Sequence, residues 1–411
     1  MRDPKRMFGR WPLLLLVVLA LLPRPLAGES RADTLNARLD AVVAQAVAEN
    51  RIVGGVVVVA RDGQVAYRKA FGLADREAGR PARPDTLFRL ASMSKPLVSA
   101  AALALADQGR LSLDDPVTRW LPYFQARLAD GSPATITVRQ LLTHTAGLSY
   151  GFLEPPDGPL ARAGVSDGLD RPGISLAENL RRLATVPLSF PPGTDWGYSL
   201  SIDVLGAVVA AAGGGELPEV VARVLTGPLG MADTAFVAAS RERLSVPYAA
   251  GPGGPHRMAD PEVMANKASG VRFSPSRATD AQAYPSGGAG LVGTADDYLR
   301  FLEAVRRDGG GVLAPQTARA MTANQIGDLR PALAGHGRGF GFGAAVLVER
   351  QAGQPANVGQ WAWSGVYGSH FFLDRQAGLS VVVLTNTTPD GMSGRFPAEI
   401  ATAVYAADAT P

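Results

Sequence analysis

Strand-like segments occur at both ends of this chain, and the segments between them are mostly helix-like. Near the start, "GGVVVVA" and "QVAYRKAFG" flank Arg61-Asp62-Gly63, a hairpin pattern in which Gly63 supplies the positive φ angle. Near the end, "FGFGAAVLVE", "HFFLDRQ" and "LSVVVLTN" are short, rich in β-branched or aromatic residues, and bounded by turns. We therefore predict one antiparallel sheet built from both termini and flanked by helices, with an inserted, mainly helical region.

Three segments have the residue spacing of helices. "ADTLNARLDAVVAQAVAEN" precedes the first strand, "SAAALALADQGRL" ends near Gly109, and "GRFPAEIATAVYAAD" closes the chain. The 411 residues are 46% apolar and 19% charged, which is typical of a globular protein. These observations predict a single α/β (α+β) domain over residues 29–411. Its sheet part is expected at about 36–90 and 291–411, and its mainly helical part at about 91–290.

Residues 1–28 have the pattern of a secretory signal peptide. A basic start precedes the apolar run "PLLLLVVLALL", which is about half as long as a membrane-spanning helix needs. A cleaved signal predicts a periplasmic or secreted protein without stable membrane insertion, and a retained N-terminal anchor is the alternative. The chain has no cysteine, which excludes disulfides, thiolate metal sites, a cysteine nucleophile and a cysteine-linked lipid.

The distribution of charge argues against a nucleic-acid partner. Residues 1–28 hold five basic residues and one acidic residue, a net charge of +4, whereas the whole chain carries +3. The remainder therefore carries about −1, and the basic isoelectric point belongs mostly to the leader. The sequence leaves the oligomeric state open.

The segment "FRLASMSKPLVSAAALALADQGRL" contains a Ser-x-x-Lys pattern at Ser92 and Lys95. If Ser92 opens a helix, Lys95 lies one turn later on the same face, within reach of the serine hydroxyl. Pro96 is tolerated in a first helical turn, where its missing N–H costs little. Taken alone, the pattern fits equally a serine nucleophile beside its base and an ordinary helix start with an exposed lysine.

Other segments accompany this pattern. Tyr198 and Ser199 in "PPGTDWGYSLSIDVLGAVVA" come just before a predicted helix, and Trp363-Ser364-Gly365 in "WAWSGVYGSHFFLD" is predicted at the start of a strand. "VRQLLTHTAGL", "PLGMADTAF" and "SGGAGLVGTADDYLRF" complete six segments in order. In these motifs, over residues 36–405, the chain resembles the serine β-lactamase and penicillin-binding protein superfamily. It most resembles the class C β-lactamases and the family VIII carboxylesterases, which share a β-lactamase/transpeptidase-like fold.

The resemblance implies a role for each matched residue. Ser92 would be the nucleophile that accepts the acyl group, and Lys95 and Tyr198 would share general-base and general-acid duty, with the base left open between them. The oxyanion hole would be formed by the backbone N–H groups of Ser92 and Val366. The resemblance implies no cofactor and no metal.

Two departures from the class C pattern bear on the substrate. Class C enzymes carry Lys-Thr-Gly where this chain has Trp363-Ser364-Gly365, and Trp cannot hold a substrate carboxylate as that lysine does. They also carry Tyr-x-Asn, whereas Leu200 follows Tyr198-Ser199 here. Both changes favour a small neutral ester as substrate, cleaved through an acyl-Ser92 intermediate. A β-lactamase or a D-amino-acid peptidase acting on cell-wall amides is the alternative, and acyl transfer to an alcohol instead of water stays open, as does a non-hydrolytic relative that is only acylated.

Several weaker candidates remain. Ser149 in "GLSYG" and Ser166 in "GVSDG" fit Gly-x-Ser-x-Gly, but neither has the strand before and the helix after that a nucleophile elbow requires. His144 is interpreted as structural, since the implied mechanism needs no histidine. The Asp114–Asp115 pair is interpreted as part of a loop near a helix end. Three residues are candidate substrate contacts beside Trp363, Ser364 and Gly365: Tyr150 and Phe152, which are either pocket residues or surface aromatics, and His370.

Overall fold

The computed structural model describes Met1 and residues 31–171 and 173–406. Apart from Met1, the predicted leader therefore lies outside the described residues, and the predicted limits of the domain stay a prediction. Among the described residues, no single helix is both long and apolar enough to cross a membrane. Only Ser201–Gly213 taken together with Leu217–Thr226, across a 74° bend, meets that criterion.

The helices and strands follow the predicted outline of a hairpin after the first helix, a helix-rich middle region, and several strands before the last helix. The helices are α1 (Arg31–Ala48), α2 (Ser94–Asp107), α3 (Val138–Leu142), α4 (Pro159–Arg162), α5 (Leu176–Ala184), α6 (Ser201–Gly213), α7 (Leu217–Val221), α8 (Ala295–Arg306), α9 (Pro315–Met321) and α10 (Arg395–Ala406). The strands are β1 (Gly54–Arg61), β2 (Gln64–Asp75), β3 (Arg80–Pro81), β4 (Phe88–Arg89), β5 (Tyr248–Ala249), β6 (His256–Arg257), β7 (Glu262–Met264), β8 (Val271–Phe273), β9 (Val292–Gly293), β10 (Arg338–Phe340), β11 (Ala345–Leu347), β12 (Trp361–Gly365), β13 (Ser369–Asp374), β14 (Leu379–Thr385) and β15 (Thr387–Thr388).

The main sheet has eight strands in the order β10-β11-β12-β13-β14-β1-β2-β3, and every neighbouring pair is antiparallel. The pairing of β1 with β14 joins the two ends of the chain, as predicted. The β1–β2 hairpin turns through Asp62 and Gly63, whose φ angles are 49° and 86°, so the predicted positive φ at Gly63 is confirmed. The expected α+β architecture, with a sheet from both termini and a helical middle, is confirmed.

Both faces of the sheet are covered, which explains the unbroken apolar run of β1. Val57 and Val59 pack with residues of α1 and α10 on one face. Val56 and Val58 pack with residues of α2, α6 and α8 on the other. A strand that is buried on both faces has no side chains facing solvent. Its sequence is therefore a continuous run of valines and does not alternate between apolar and polar residues.

Three local predictions need correction. Trp363-Ser364-Gly365 lies at the C-terminal end of β12, not at the start of a strand, because β12 begins at Trp361, which pairs with Leu373. The segment "FGFGAAVLVE" is divided between β10 and β11, which form a hairpin around Gly343 with a φ angle of 84°. The middle region, predicted to be mainly helical, also holds the short strands β5 to β8.

Candidate active site

Ser92 lies in a single 3₁₀ turn, Ala91–Met93, that leads directly into α2. The residue before it, Ala91, has a φ angle of +45° and is fully buried. A non-glycine residue in this region of φ is strained, and packing must hold it there. The turn therefore fixes Ser92 at the mouth of α2, with Lys95 and Pro96 in the first helical turn as the sequence predicts.

Lys95 is 1% exposed and makes two hydrogen bonds with its ammonium group. Nζ donates to Oγ of Ser92 at 3.1 Å and to the carbonyl oxygen of Gly288 at 2.8 Å. Nζ also lies 4.7 Å from the centre of the Tyr198 ring and 5.3 Å from that of Tyr150. A buried cation held by an oxygen and by aromatic faces is compensated without a carboxylate in direct contact. The alternative of an exposed lysine at an ordinary helix start is wrong.

Tyr198 approaches Ser92 from the segment just before α6. Its hydroxyl donates to Oγ of Ser92 at 2.7 Å. Its ring packs against those of His144, Tyr150 and Trp363, with centroids 5.0, 5.1 and 5.4 Å away. Ser92, Lys95 and Tyr198 therefore meet at one point. A hydroxyl with two proton-carrying groups within hydrogen-bond reach is the arrangement that nucleophilic catalysis requires.

The ring of His144 packs against the ring of Tyr198. It is fully buried, and its Nδ1 lies 3.1 Å from Oγ of Ser199. Burial lowers the pKa of His144 well below its usual value, and the nearby charge of Lys95 lowers it further. The ring is therefore neutral, and its contacts with the rings of Tyr198 and Phe340 agree with the structural interpretation.

The end of β12 lies against the turn that carries Ser92. A Cβ atom on Gly365 would lie 2.2 Å from the carbonyl oxygen of Leu90, so only glycine permits this approach. Val366 follows directly and lines the same cavity as Ser92. Beyond Ala362, β12 has no pairing with β11, which leaves its edge at Trp363 and Ser364 open to the cavity.

A cavity of about 650 Å³ opens over Ser92. Tyr150 and Phe152 line one wall, with stacked rings 4.6 Å apart, and Tyr150 is only 2% exposed. The interpretation of Tyr150 as a surface aromatic is therefore wrong. The predicted contacts Trp363, Ser364 and His370 also line the cavity. Most of the lining is apolar, including Leu153, Leu169, Val271, Ala289, Leu333 and Ala345.

His370 is buried, and its orientation is defined by a backbone group. Its Nδ1 lies 3.0 Å from the carbonyl oxygen of Gly391. Burial lowers the pKa of His370 to about 4, so the ring is neutral at pH 7. A carbonyl oxygen only accepts hydrogen bonds, so the proton is on Nδ1 and Nε2 is an acceptor.

Three polar groups near the site were not predicted from the sequence. The carboxyl of Asp167 accepts hydrogen bonds from the backbone N–H groups of Gly151 and Phe152 at 2.7 and 3.1 Å. Burial raises the pKa of Asp167 to about 7. Asp203 is fully buried on α6, and burial raises its pKa against the opposing effects of the Ser286 hydroxyl and the charge of Lys95. The third group is the carbonyl of Gly288, within the segment "SGGAGLVGTADDYLRF", whose composition carries no signal for a contact with Lys95.

The weaker candidates lie apart from this constellation. Among the residues that the structure describes, the only hydrogen bond of Ser149 Oγ is to the carbonyl oxygen of Tyr150, at 3.4 Å. Oγ of Ser166 lies in a buried network with the carboxyl of Asp170 and the hydroxyl of Tyr284. Asp115 accepts hydrogen bonds from its own loop, as the loop interpretation of the Asp114–Asp115 pair requires. Within 31–171 and 173–406, no group of three or more histidine or acidic side chains could hold a metal ion.

Comparison with known proteins shows which family the chain resembles over most of its length. A profile described as Beta-lactamase matches residues 39–405. Esterase EstB from Burkholderia gladioli is 52% identical over 387 residues, which cover 93% of this chain and 98% of that protein. The solved structure of "EstCE1, a hydrolase with promiscuous acyltransferase activity" is 44% identical, with a TM-score of 0.87, and the match covers 91% of this chain and 99% of that one.

A more distant match shows the fold alone. The octameric penicillin-binding protein homologue from Pyrococcus abyssi is 22% identical, with a TM-score of 0.68 over 91% of this chain and 77% of that one. The family profile spans most of the chain, and the relatives match it nearly end to end. This protein therefore belongs to the beta-lactamase family.

Proposed function

We propose that this protein is a serine carboxylesterase that works through an acyl-Ser92 intermediate. The observation that carries the proposal is the meeting of three groups at the floor of an apolar cavity. Oγ of Ser92 lies 2.7 Å from the Tyr198 hydroxyl and 3.1 Å from Nζ of Lys95. The names of two similar proteins, Esterase EstB and the hydrolase EstCE1, support an ester as substrate.

In the reactive state, one member of the Lys95–Tyr198 pair is in its deprotonated form. In the acylation step, Oγ of Ser92 forms a bond to the ester carbonyl carbon, and its proton passes to that member of the pair. The carbonyl oxygen becomes an oxyanion, which the N–H groups of Ser92 and Val366 stabilise by hydrogen bonds. Preorganised donors of this kind are usually the largest single contribution to acyl transfer. The bond to the alcohol oxygen then breaks, and the alcohol leaves with the proton that the pair returns.

In the deacylation step, water attacks the acyl carbon and gives up a proton to the same pair. Ser92 recovers its proton as the carboxylic acid leaves, so atoms and charges balance over the cycle. The nucleophile, the acid–base pair and the oxyanion donors all belong to the protein. The proposed steps use no metal and no cofactor.

Trp363 favours a substrate that carries no charged group beside the scissile bond. It occupies the position where class C enzymes place a lysine, and its ring packs on those of Tyr198 and Phe340 at 5.4 Å each. The indole offers no cation to a carboxylate beside the scissile bond. Its rigid contacts also fix the Tyr198 ring that the mechanism uses.

Acyl transfer to an alcohol is a second candidate activity, which the promiscuous acyltransferase activity of EstCE1 favours. The apolar lining of the cavity fits this reaction, since an alcohol with a carbon chain would compete there with water for acyl-Ser92. Product analysis with p-nitrophenyl butyrate in water containing butanol tests it. Butyl butyrate in excess of butyric acid is expected for a transferase, and butyric acid alone would contradict it.

The proposal includes export to the periplasm or the medium after removal of residues 1–28. Its support is the basic and apolar pattern of that segment. N-terminal sequencing of the protein recovered outside the cytoplasm is expected to begin near residue 28. A chain that keeps Met1 would contradict a cleaved signal.

The main test compares p-nitrophenyl acetate, butyrate and octanoate with a chromogenic cephalosporin. Ser92→Ala is expected to lower ester turnover about 10³-fold or more. Ser149→Ala is the matched control and keeps turnover, because its hydroxyl contacts no group of the proposed machinery. Cephalosporin cleavage faster than ester cleavage would instead support the β-lactamase alternative. Ester turnover that survives in Ser92→Ala would disprove the proposed nucleophile.

A further inference from the structure

The cavity over Ser92 continues along the face of β12 and β13 that is turned toward α10. Ser364 pairs with His370, and Ala362 pairs with Phe372. Because successive side chains of a strand alternate between faces, these four side chains share one face. Pro397, Ala398 and Ala401 of α10 line the same cavity. We call this extension, bounded by Ala362, Phe372, Pro397, Ala398 and Ala401, the α10 channel.

The α10 channel leads to a guanidinium group at its far end. Arg338 and Gln360 also line the cavity, and Nη2 of Arg338 donates to Oε1 of Gln360 at 2.8 Å. Gln360 lies just before β12 and four residues before Ser364, a distance of about 13 Å along an extended chain. The channel is therefore long enough for an extended chain of several carbon atoms between the catalytic end and Arg338.

Arg338 has no acidic partner within the described part of the chain. Its Nη1 is buried without a hydrogen-bond partner there, and no carboxylate of the described residues forms an ion pair with it. Some other half-buried arginines, such as Arg51 and Arg306, pair with glutamates. Arg89 and Arg277 also have no ion pair among the described residues, but each donates hydrogen bonds to several backbone carbonyl oxygens. A guanidinium is always charged, and a buried charge is costly unless a group of opposite sign compensates it. An anionic ligand in the channel would supply that group.

The walls of the channel restrict what such a ligand contains. Ala362, Phe372, Ala398 and Ala401 offer only apolar contacts. Nε2 of His370, on a side chain that is 5% exposed, has no hydrogen-bond partner among the described residues and accepts but does not donate. The ligand part that fills the channel is therefore an apolar chain, and its anionic group lies beyond His370, at Arg338.

We propose that the α10 channel binds one arm of the substrate ester, an aliphatic chain that ends in a carboxylate held by Arg338. This inference rests on the proposed esterase function and narrows its substrates to esters that carry a remote acid group. The neutral surroundings of Trp363 and the charge of Arg338 do not conflict, because they act at opposite ends of the cavity. The acid group is far from the scissile bond, unlike the carboxylate of a β-lactam.

Two pairs of probes test the inference and identify the arm. Monomethyl sebacate carries the acid on the acyl arm, and dimethyl sebacate is its neutral match. ω-Acetoxydecanoate carries the acid on the alcohol arm, and decyl acetate is its neutral match. We expect kcat/KM for the acid probe of one pair to exceed that of its neutral match by roughly tenfold or more, as a charged hydrogen bond would give.

The variants test the charge of Arg338 separately from the open space of the α10 channel. We expect free sebacate to be a competitive inhibitor of the natural protein. In Arg338→Gln, the acid-to-neutral ratio is expected to fall to near one, and sebacate is expected to inhibit at least tenfold more weakly. Ala398→Trp fills the channel and is expected to lower kcat/KM for both long probes of the pair. Arg350→Gln, which removes an exposed arginine, keeps the ratio of the natural protein. Thermal unfolding confirms that each variant is folded.

Each outcome decides between the proposals. No preference for the acid probe in either pair, or a preference that Arg338→Gln leaves intact, would overturn the channel assignment. Turnover of p-nitrophenyl acetate without any such preference would refute the channel while leaving the esterase function in place. Absence of turnover with every ester would refute the esterase function and the inference that rests on it.

Discussion

Gly365 at the end of β12 lies so close to Leu90 that a methyl group would not fit between them. A Cβ atom there would be 2.2 Å from the Leu90 carbonyl oxygen, in backbone that cannot move aside cheaply. This contact sets the distance between Val366 and the turn that carries Ser92. The position of the proposed oxyanion hole therefore depends on the absence of one side chain.

Gly365→Ala is expected to displace the end of β12 from Ser92 and to reduce kcat for p-nitrophenyl butyrate roughly 100-fold, because small displacements of reacting groups are costly. KM should change much less. Gly253→Ala is the matched control, since its added methyl group meets nothing within 4 Å. Full activity in Gly365→Ala would show that the approach of β12 to Ser92 is not needed.

Tyr198→Phe removes one of the two groups that contact Oγ of Ser92 and leaves the ring in place. We expect kcat to fall by about 10² to 10⁴, the usual contribution of a positioned acid or base, with little change in thermal stability. Tyr123→Phe, on a half-buried ring under Arg181 that does not line the cavity, is the control. A loss of less than tenfold would assign the proton transfer to Lys95 alone.

Trp363→Lys restores the charge of class C enzymes at the end of β12. The ratio of cephalosporin cleavage to p-nitrophenyl ester cleavage is expected to rise roughly tenfold, since a charged hydrogen bond to the lactam carboxylate is gained. Ester turnover itself should fall, because Tyr198 loses the packing of the indole ring. Trp363→Phe keeps an aromatic ring and serves as the control. An unchanged ratio would mean that Trp363 does not select the substrate.

Asp167 gives the stability of the protein a specific pH dependence. Burial raises its pKa to about 7 in the folded state, above an ordinary value of 3.8. Between about pH 4 and pH 7 the folded state holds a proton at Asp167 that the unfolded state has released, so rising pH destabilises the fold by up to about 1.4 kcal/mol per pH unit. The stability that the protonated Asp167 contributes is fully present below about pH 4 and is lost above about pH 7.

Asp167→Asn is expected to remove this dependence, because an amide does not titrate in that range and still accepts one of the two backbone hydrogen bonds. Urea unfolding at pH 4, 5.5 and 7.5 measures it as the difference between the variant and the natural protein. The variant should gain stability relative to the natural protein as the pH rises. A difference that is constant with pH would show that Asp167 has an ordinary pKa.

The meeting of Ser92, Lys95 and Tyr198 was predictable because these residues lie in short segments with recognisable composition. Ser92 and Lys95 are three residues apart on one helix start, and Tyr198 marks the start of another. The contact of Lys95 with the Gly288 carbonyl was not predictable. A backbone oxygen carries no side-chain signal, and the approach depends on how the loop before β9 folds over α2.

The position of Trp363-Ser364-Gly365 within its strand shows a second limit. The aromatic and small residues indicate a strand, but its start is set by pairing with β13, about ten residues later in the chain. The α10 channel shows a third limit. Arg338, Phe372 and Ala401 come from separate elements, and only the packing of α10 on the complete sheet brings them to one cavity.

The central position of β14 in the sheet has a consequence for how the molecule forms. β1 has β2 on one side and β14 on the other. Gly55 of β1 pairs with Thr385 of β14, which is far away in the sequence. Pairing over such a separation makes folding slow, since most of the chain must be ordered at once. During synthesis, β1 cannot pair with β14 until the residues up to Thr385 have been added. Truncation before Leu379 would leave two open strand edges that invite aggregation.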